Sequence, residues 1–196
     1  MTAERGRLKM DVYVRRSKST EKRAPSAGQR RKNDVIKPGH RDARKLLEAV
    51  NSQSVDFCLT SPPYWNILSQ KRTADSKQIR DYGDEQQDLA KISGYWEFIN
   101  ELGVVFDQVF QALKPGKYCV VDVMDLRKKD EFYPFHSDLA NRMKSAGFIF
   151  DDVIIWDRRR DYNNLRPLGY PSVFRVNKVH EYLVIFKKPL RMGQQG

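Results

Sequence analysis

A short apolar run that ends in a pair of prolines constrains this chain more than any other feature. Val55-Asp56-Phe57-Cys58-Leu59 is partly β-branched and leads directly into Thr60-Ser61-Pro62-Pro63-Tyr64-Trp65, so it reads as a buried strand running into a rigid loop. Two successive prolines fix φ and remove two backbone donors, which leaves stiff carbonyls unpaired by any sheet neighbour. In open α/β sheets the carboxyl ends of the strands are where ligands bind. A serine hydroxyl, a stiff carbonyl and two aromatic rings would project together from that edge.

This combination suits an exocyclic amine as its target. The amine of cytosine or adenine is a poor nucleophile because its lone pair is delocalised into the ring, and acceptors that hold both of its hydrogens improve it. Ser61 Oγ and the Pro62 carbonyl are candidate acceptors, Pro63 stiffens the loop, and Tyr64 would stack on a base swung out of a duplex. No covalent nucleophile is required. An ordinary strand-to-loop turn is the plainer reading of the same residues, since Ser-Pro and Pro-Pro are common turn signals.

The flanking segments repeat a strand and helix alternation. Residues 34–37 form a candidate strand ended by Pro38-Gly39, and residues 42–50 carry apolar side chains at 43, 46, 47 and 50, the spacing of a helix with one buried face. Asp42 is its candidate N-cap. Residues 66–92 are polar and lack a sustained period, as expected of a long functional or disordered loop. Ser93 would then cap a long amphipathic helix with Tyr95, Trp96, Ile99, Leu102, Val105, Phe106, Val109, Phe110 and Leu113 at helical spacing. Lys114-Pro115-Gly116-Lys117 is expected to turn the chain into a buried strand over 118–124. A helix over 138–146 ending at Gly147 and strands over 148–156 and 180–188 complete an α/β sheet with helices on both faces.

These segments resemble the amino-group DNA methyltransferases, which modify cytosine N4 or adenine N6 with S-adenosylmethionine. The resemblance rests on Ser61-Pro62-Pro63-Tyr64 with Trp65, on the helix, Leu113-Lys114-Pro115-Gly116 turn and following strand, on Ala146-Gly147-Phe148 before Ile154-Ile155-Trp156, and on the late His180-Glu181 strand. The loop sequence is more typical of the cytosine-N4 members. The polar, basic composition of residues 1–33 reads as a disordered arm, while the resemblance implies a partial Rossmann-like methyltransferase sheet over 34–190 with a tail over 191–196. It assigns the amine-orienting roles to Ser61, Pro62, Pro63 and Tyr64. Asp42 and Ser61 become cofactor contacts, although Arg41 stands where the family usually has Gly before the acid.

Charge points to the same partner. The chain carries a net charge of +11, and residues 1–33 hold eleven Lys/Arg against three Asp/Glu. Cations that neutralise phosphates gain from counterion release, so a polyanion such as DNA is the expected partner, RNA being the less favoured one. Trp65, Asn66, Arg158, Arg159, Arg160 and Arg166 are the candidate DNA contacts, because they mix cations, amides and rings near the loop and after the Trp156 strand. Cys58 and Cys119 read as small buried hydrophobes in a reducing compartment, and no metal-ligand spacing is present. With no apolar run of membrane-spanning length and no secretory signal, the expected location is the cytoplasm, nucleoid-associated in a prokaryote.

The resemblance also predicts a glycine-rich cofactor loop after the late strand, and residues 191–196 do not supply a strand-Gly-x-Gly-helix context. Either a missing C-terminal segment or a second polypeptide is expected to provide it, or the chain is a DNA-binding subunit without catalysis. The strand pairing edge left by that half needs a cover.

Overall fold

The computed structural model describes residues 12–16, 34–36, 42–65, 89, 92–128, 130–160, 167–168, 171–172 and 174–190. The strands are β1 (Val12–Arg16), β2 (Asp34–Ile36), β3 (Val55–Thr60), β4 (Leu113–Val123), β5 (Leu126–Lys128), β6 (Glu131–Tyr133), β7 (Ile149–Asp157), β8 (Pro167–Leu168), β9 (Arg175–Val176) and β10 (His180–Lys187). The α-helices are α1 (Leu46–Ala49), which follows a 3-10 turn over Ala43–Lys45, α2 (Tyr95–Ala112) and α3 (Phe135–Ser145). Lys37, Asn66, Arg166, nearly all of the 66–92 loop and the 191–196 tail lie outside the described residues.

Six strands form one sheet in the order β2-β1-β3-β4-β10-β7, with β3 and β4 parallel and the other pairs antiparallel. Antiparallel β10 lies between β4 and β7, so the carboxyl ends of β3, β4 and β7 and the start of β10 meet at one edge. β1 comes from the stretch expected to be a disordered basic arm, and its backbone pairs Val12 with Thr60 and Val14 with Cys58. It covers the free edge of β3.

Alternation along the strands builds the core. Cys58 stands beside Cys119, and Val121 beside Val184, on one face of the sheet. Against that face α2 buries Phe98, Ile99, Leu102, Val105, Phe106 and Val109, and α3 buries Phe135, Leu139 and Met143. Each such side chain contributes about 1.5–3 kcal/mol when fully removed from water. Leu46 and Val50 join the same cluster from the α1 segment. The result is an α/β sheet flanked by helices. Its opposite face shows Phe57, Leu59, Ile154 and Trp156, each more than a third exposed. No helix among the described residues is long and apolar enough to cross a membrane.

Several boundaries differ from expectation for identifiable reasons. α2 starts from Gly94 without a side-chain cap, so Ser93 does not play that part. The Lys114-Pro115-Gly116-Lys117 turn is absorbed into β4, because the Gly116 N–H donates to the Lys188 carbonyl at 2.9 Å and the Lys188 N–H to the Lys117 carbonyl at 2.8 Å. Gly116 has φ +74°, and a Cβ there would meet Leu190 at 2.8 Å. α3 begins at Phe135, three residues early, where the Pro134 carbonyl accepts from the Ser137 and Asp138 N–H groups at 3.0 Å. Gly147, at φ +102°, ends it as expected, and its N–H donates to the Lys144 carbonyl.

Candidate functional site

The loop after β3 opens at the carboxyl edge, where the parallel neighbour β4 ends beside it. Ser61 is exposed there, Pro62 and Pro63 are buried, and Tyr64 is half-buried against the core. The proline pair therefore seats the loop while leaving the serine facing outward. Thr60, the last residue of β3, is buried, and among the described residues its Oγ1 has no hydrogen-bond partner.

Trp65 is positioned differently from a surface contact. It is 3% exposed, and its indole N–H donates to the Ile92 carbonyl at 2.7 Å. Its ring meets the edges of Tyr95 and Tyr133 at centroid distances of 5.4 and 5.1 Å. Its φ of +41° lies in the left-handed region, a conformation that costs a non-glycine residue on the order of 1–3 kcal/mol and persists where surrounding contacts over-determine it. Trp65 is thus a buried anchor for the loop.

Beside this anchor lies an open cavity of about 480 Å³ lined by Trp65, Tyr95, Lys128, Asp130, Glu131 and Tyr133. The Tyr95 hydroxyl donates to Asp138 Oδ2 at 2.7 Å, and burial, followed by Asp138, pushes its pKa up. The Tyr133 hydroxyl donates to Glu131, which raises the phenol in turn. Buried Asp125 follows β4 and lies 2.6 Å from His136 Nδ1. The His136 ring stacks on Tyr182 at 4.1 Å, and Tyr182 OH lies 3.2 Å from His180 Nε2.

No local sequence signal marks this second group, because its members come from the ends of several elements and share no period. The nearest signal is the density of aromatic and charged residues between β4 and α3.

Of the arginines expected to meet DNA, Arg158 pairs with Glu181, which is 3% exposed, and lies over the Trp156 ring at 4.7 Å. Arg159 forms an ion pair with Asp157 at 2.6 Å, and Arg160 is exposed beside it. All three sit at the carboxyl end of β7, on the same sheet edge as Ser61. Glu181 also acts on the carboxyl of Asp122, whose Oδ1 is buried with no hydrogen-bond partner among the described residues. Burial, reinforced by Glu181 and opposed by Arg158, raises the Asp122 carboxyl to about 7.

Asp42 does cap the turn that leads into α1. Its Oδ1 accepts from the Arg44 N–H and Nε at 3.0 Å, and its Oδ2 from Arg44 Nη2 at 2.9 Å. Arg44 also reaches Glu101 at 3.1 Å, which ties the cap to α2. A cofactor contact by Asp42 would have to compete with this guanidinium.

Residues 55–192 match the profile of a family described as DNA methylase, the N6/N4 methyltransferases. The chain is 22% identical over 161 residues to the type II beta methyltransferase M.BslI of Bacillus sp. (strain NEB-606), covering 75% of this chain and 16% of that protein. It is 26% identical over 153 residues to the type II methyltransferase M.MwoI of Methanothermobacter wolfeii, covering 75% and 20%. Among solved structures it resembles TTHA0409 of Thermus thermophilus in complex with S-adenosyl-L-methionine. The TM-score is 0.52 and the identity 27%, over 79% of this chain and 56% of that one. The chain thus spans a fifth or less of these two curated relatives and a little over half of the solved one.

Proposed function

This chain belongs to the N6/N4 DNA methylase family, and on that premise we propose that it is the target-amine portion of a DNA methyltransferase. The reaction moves a methyl group to the exocyclic amine of a base swung out of the duplex, with cytosine N4 ahead of adenine N6. The observation that carries this reading is the exposed Ser61 beside half-buried Tyr64, on a loop seated by two buried prolines at the carboxyl edge.

When bound, S-adenosylmethionine supplies an electrophilic methyl on a sulfonium. Ser61 Oγ and the Pro62 carbonyl accept the two amine hydrogens, which directs the nitrogen lone pair out of the base plane. Tyr64 holds the base by its face. With the methyl donor bound, Ser61, Pro62 and Tyr64 would hold the amine nitrogen in line with it, so that a methyl group gained by nitrogen and lost by sulfur would leave one amine proton to go to solvent. Alignment and exclusion of water by the seated loop carry most of the rate. Thr60 Oγ1, buried next to Ser61 and without a hydrogen-bond partner among the described residues, is a group of this chain that would fit a polar atom of the cofactor. A glycine-rich cradle is supplied by a further segment or a second polypeptide, and DNA is the substrate in the cytoplasm.

The decisive experiment incubates duplex DNA with the full chain, alone and with any co-purifying polypeptide, and a methyl-labelled cofactor. Chromatography of the digested DNA separates N4-methylcytosine from N6-methyladenine. Ser61→Ala should abolish the labelled product while leaving the melting temperature unchanged, and methylation retained by that variant would overturn the assignment. A non-catalytic DNA-binding subunit is the second reading, favoured by the closure of Asp42 by Arg44. It predicts duplex binding with no labelled base under any condition.

A further inference from the structure

Between β4 and α3 the chain forms the small hairpin β5–β6, which shares no ladder with the six-stranded sheet. Its registers pair Leu126 with Tyr133, Arg127 with Phe132 and Lys128 with Glu131. Leu126 is buried and Tyr133 packs on the core, so the base of the hairpin is fixed to the carboxyl edge. Phe132, by contrast, is 42% exposed.

Cations converge on its rings. Lys178 Nζ lies 4.0 Å from the Phe132 centroid, and Arg127 Cζ lies 5.4 Å from the same centroid. Lys128 Nζ lies 4.1 Å from the Trp65 ring. Among the described residues none of these three forms an ion pair, although Arg127 Nη1 reaches the Asp130 carbonyl at 3.4 Å. The acids of the hairpin are occupied, Asp130 by Arg175 at 2.8 Å and Glu131 by the Tyr133 hydroxyl.

A ring face attracts a cation while leaving donors free to point away from it. Two like charges on one exposed ring also repel each other. Burial lowers the pKa of the Lys178 ammonium, Asp125 opposes that shift, and Arg127 adds to it. An anion bridging Arg127 and Lys178 would remove their repulsion.

We infer that Arg127 and Lys178, gathered over Phe132, with Lys128 beside the Trp65 anchor, form a phosphate-binding strip that holds the DNA backbone next to the target base. This inference rests on the proposed DNA substrate. It assigns contacts to the hairpin in place of the arginine cluster after β7, where Arg158 is committed to Glu181. The strip lies at the same sheet edge as Ser61, so a duplex gripped here would present its neighbouring nucleotide to the loop.

The test measures binding of a fluorescently labelled DNA duplex by the full chain across a salt series. The double substitution Arg127→Gln with Lys178→Gln should weaken binding about ten-fold or more at low salt. The slope of log affinity against log salt should become shallower by roughly two, since each phosphate contact contributes about 0.9. Phe132→Leu should weaken binding less, because it removes the platform and keeps the charges. Thermal melts establish that each variant folds, and inorganic phosphate is the competing probe. An unchanged slope and affinity in the folded double variant would overturn the strip, as would duplex binding that an excess of inorganic phosphate weakens no more than chloride of the same ionic strength. Methylation with an unmoved slope would sink the strip and leave the activity standing, whereas binding that follows the strip without methylation would do the reverse. Failure of the unsubstituted chain to bind the duplex would overturn both.

Discussion

The Trp65 indole N–H donates to the Ile92 carbonyl at 2.7 Å, and this single bond ties the end of the Ser61 loop to the approach to α2. It joins residues 27 positions apart in sequence. The two ends of the intervening segment are thereby held at one place on the sheet edge.

Trp65→Phe keeps an aromatic ring against Tyr95 and Tyr133 but removes the donor. The lost hydrogen bond should cost about 1–2 kcal/mol in urea denaturation. Because the same bond helps hold Trp65 at positive φ, methyl transfer should fall more than stability does. A variant with unaltered activity would show that the loop is positioned by the prolines alone.

Arg158 and Arg160 should separate under substitution although they are two residues apart. Arg158→Gln removes the Arg158 cation from Glu181, whose carboxylate side chain is 4% exposed, and should destabilise the fold by about 3 kcal/mol. Arg160→Gln should leave the melting temperature within experimental error. Equal, small effects would mean that Arg158 is a surface cation.

Asp122 introduces a pH dependence of stability. Its folded-state pKa is raised to about 7 from an ordinary value of 3.8, chiefly by burial and then by Glu181, with Arg158 acting in the opposite sense. A raised carboxyl favours the protonated folded state, so its stabilising contribution is complete below the unfolded value and is lost as pH rises through the folded one. Asp122→Asn mimics the neutral acid. The melting temperature of the variant relative to the parent should therefore climb between about pH 4 and pH 7 and then level off. A difference that stays constant across this range would mean that Asp122 is ionised in the folded protein throughout.

Lys188 closes the carboxyl end of α2. Its Nζ donates to the Phe110 carbonyl at 2.6 Å and to the Leu113 carbonyl at 2.8 Å, and a cation is favoured at that end of the helix dipole. Lys188→Met preserves the stem and strands these acceptors, so urea unfolding should show a loss of about 1–3 kcal/mol with an unchanged m-value. A loss below a few tenths would mean that water replaces the ammonium.

The Ser61-Pro62-Pro63-Tyr64 loop, the stripe of α2, the Gly147 stop and the strands β3, β7 and β10 are legible in the sequence because each is specified by neighbours in the chain. Proline fixes its own φ, glycine tolerates positive φ, and periodicity reports which side of an element faces apolar surroundings. The same locality explains what stays hidden. Leu126 to Tyr133 is mostly charged in sequence, and the core contact of Leu126 and Tyr133 seats it as a hairpin. Val12–Arg16 sits in a highly cationic stretch, and its strand state comes from backbone pairing with β3.

Chain order alone is enough to specify the chemistry offered at the loop, namely a hydroxyl, a stiff carbonyl and a tyrosine ring after a buried strand. Where those groups stand, and which side chains answer them, was settled by packing. Packing turned Trp65 inward, assigned Arg158 to Glu181, closed Asp42 with Arg44 and gathered Arg127 and Lys178 over Phe132. Contacts of this kind depend on which elements become neighbours across the sheet edge, a relationship that no local run of residues encodes.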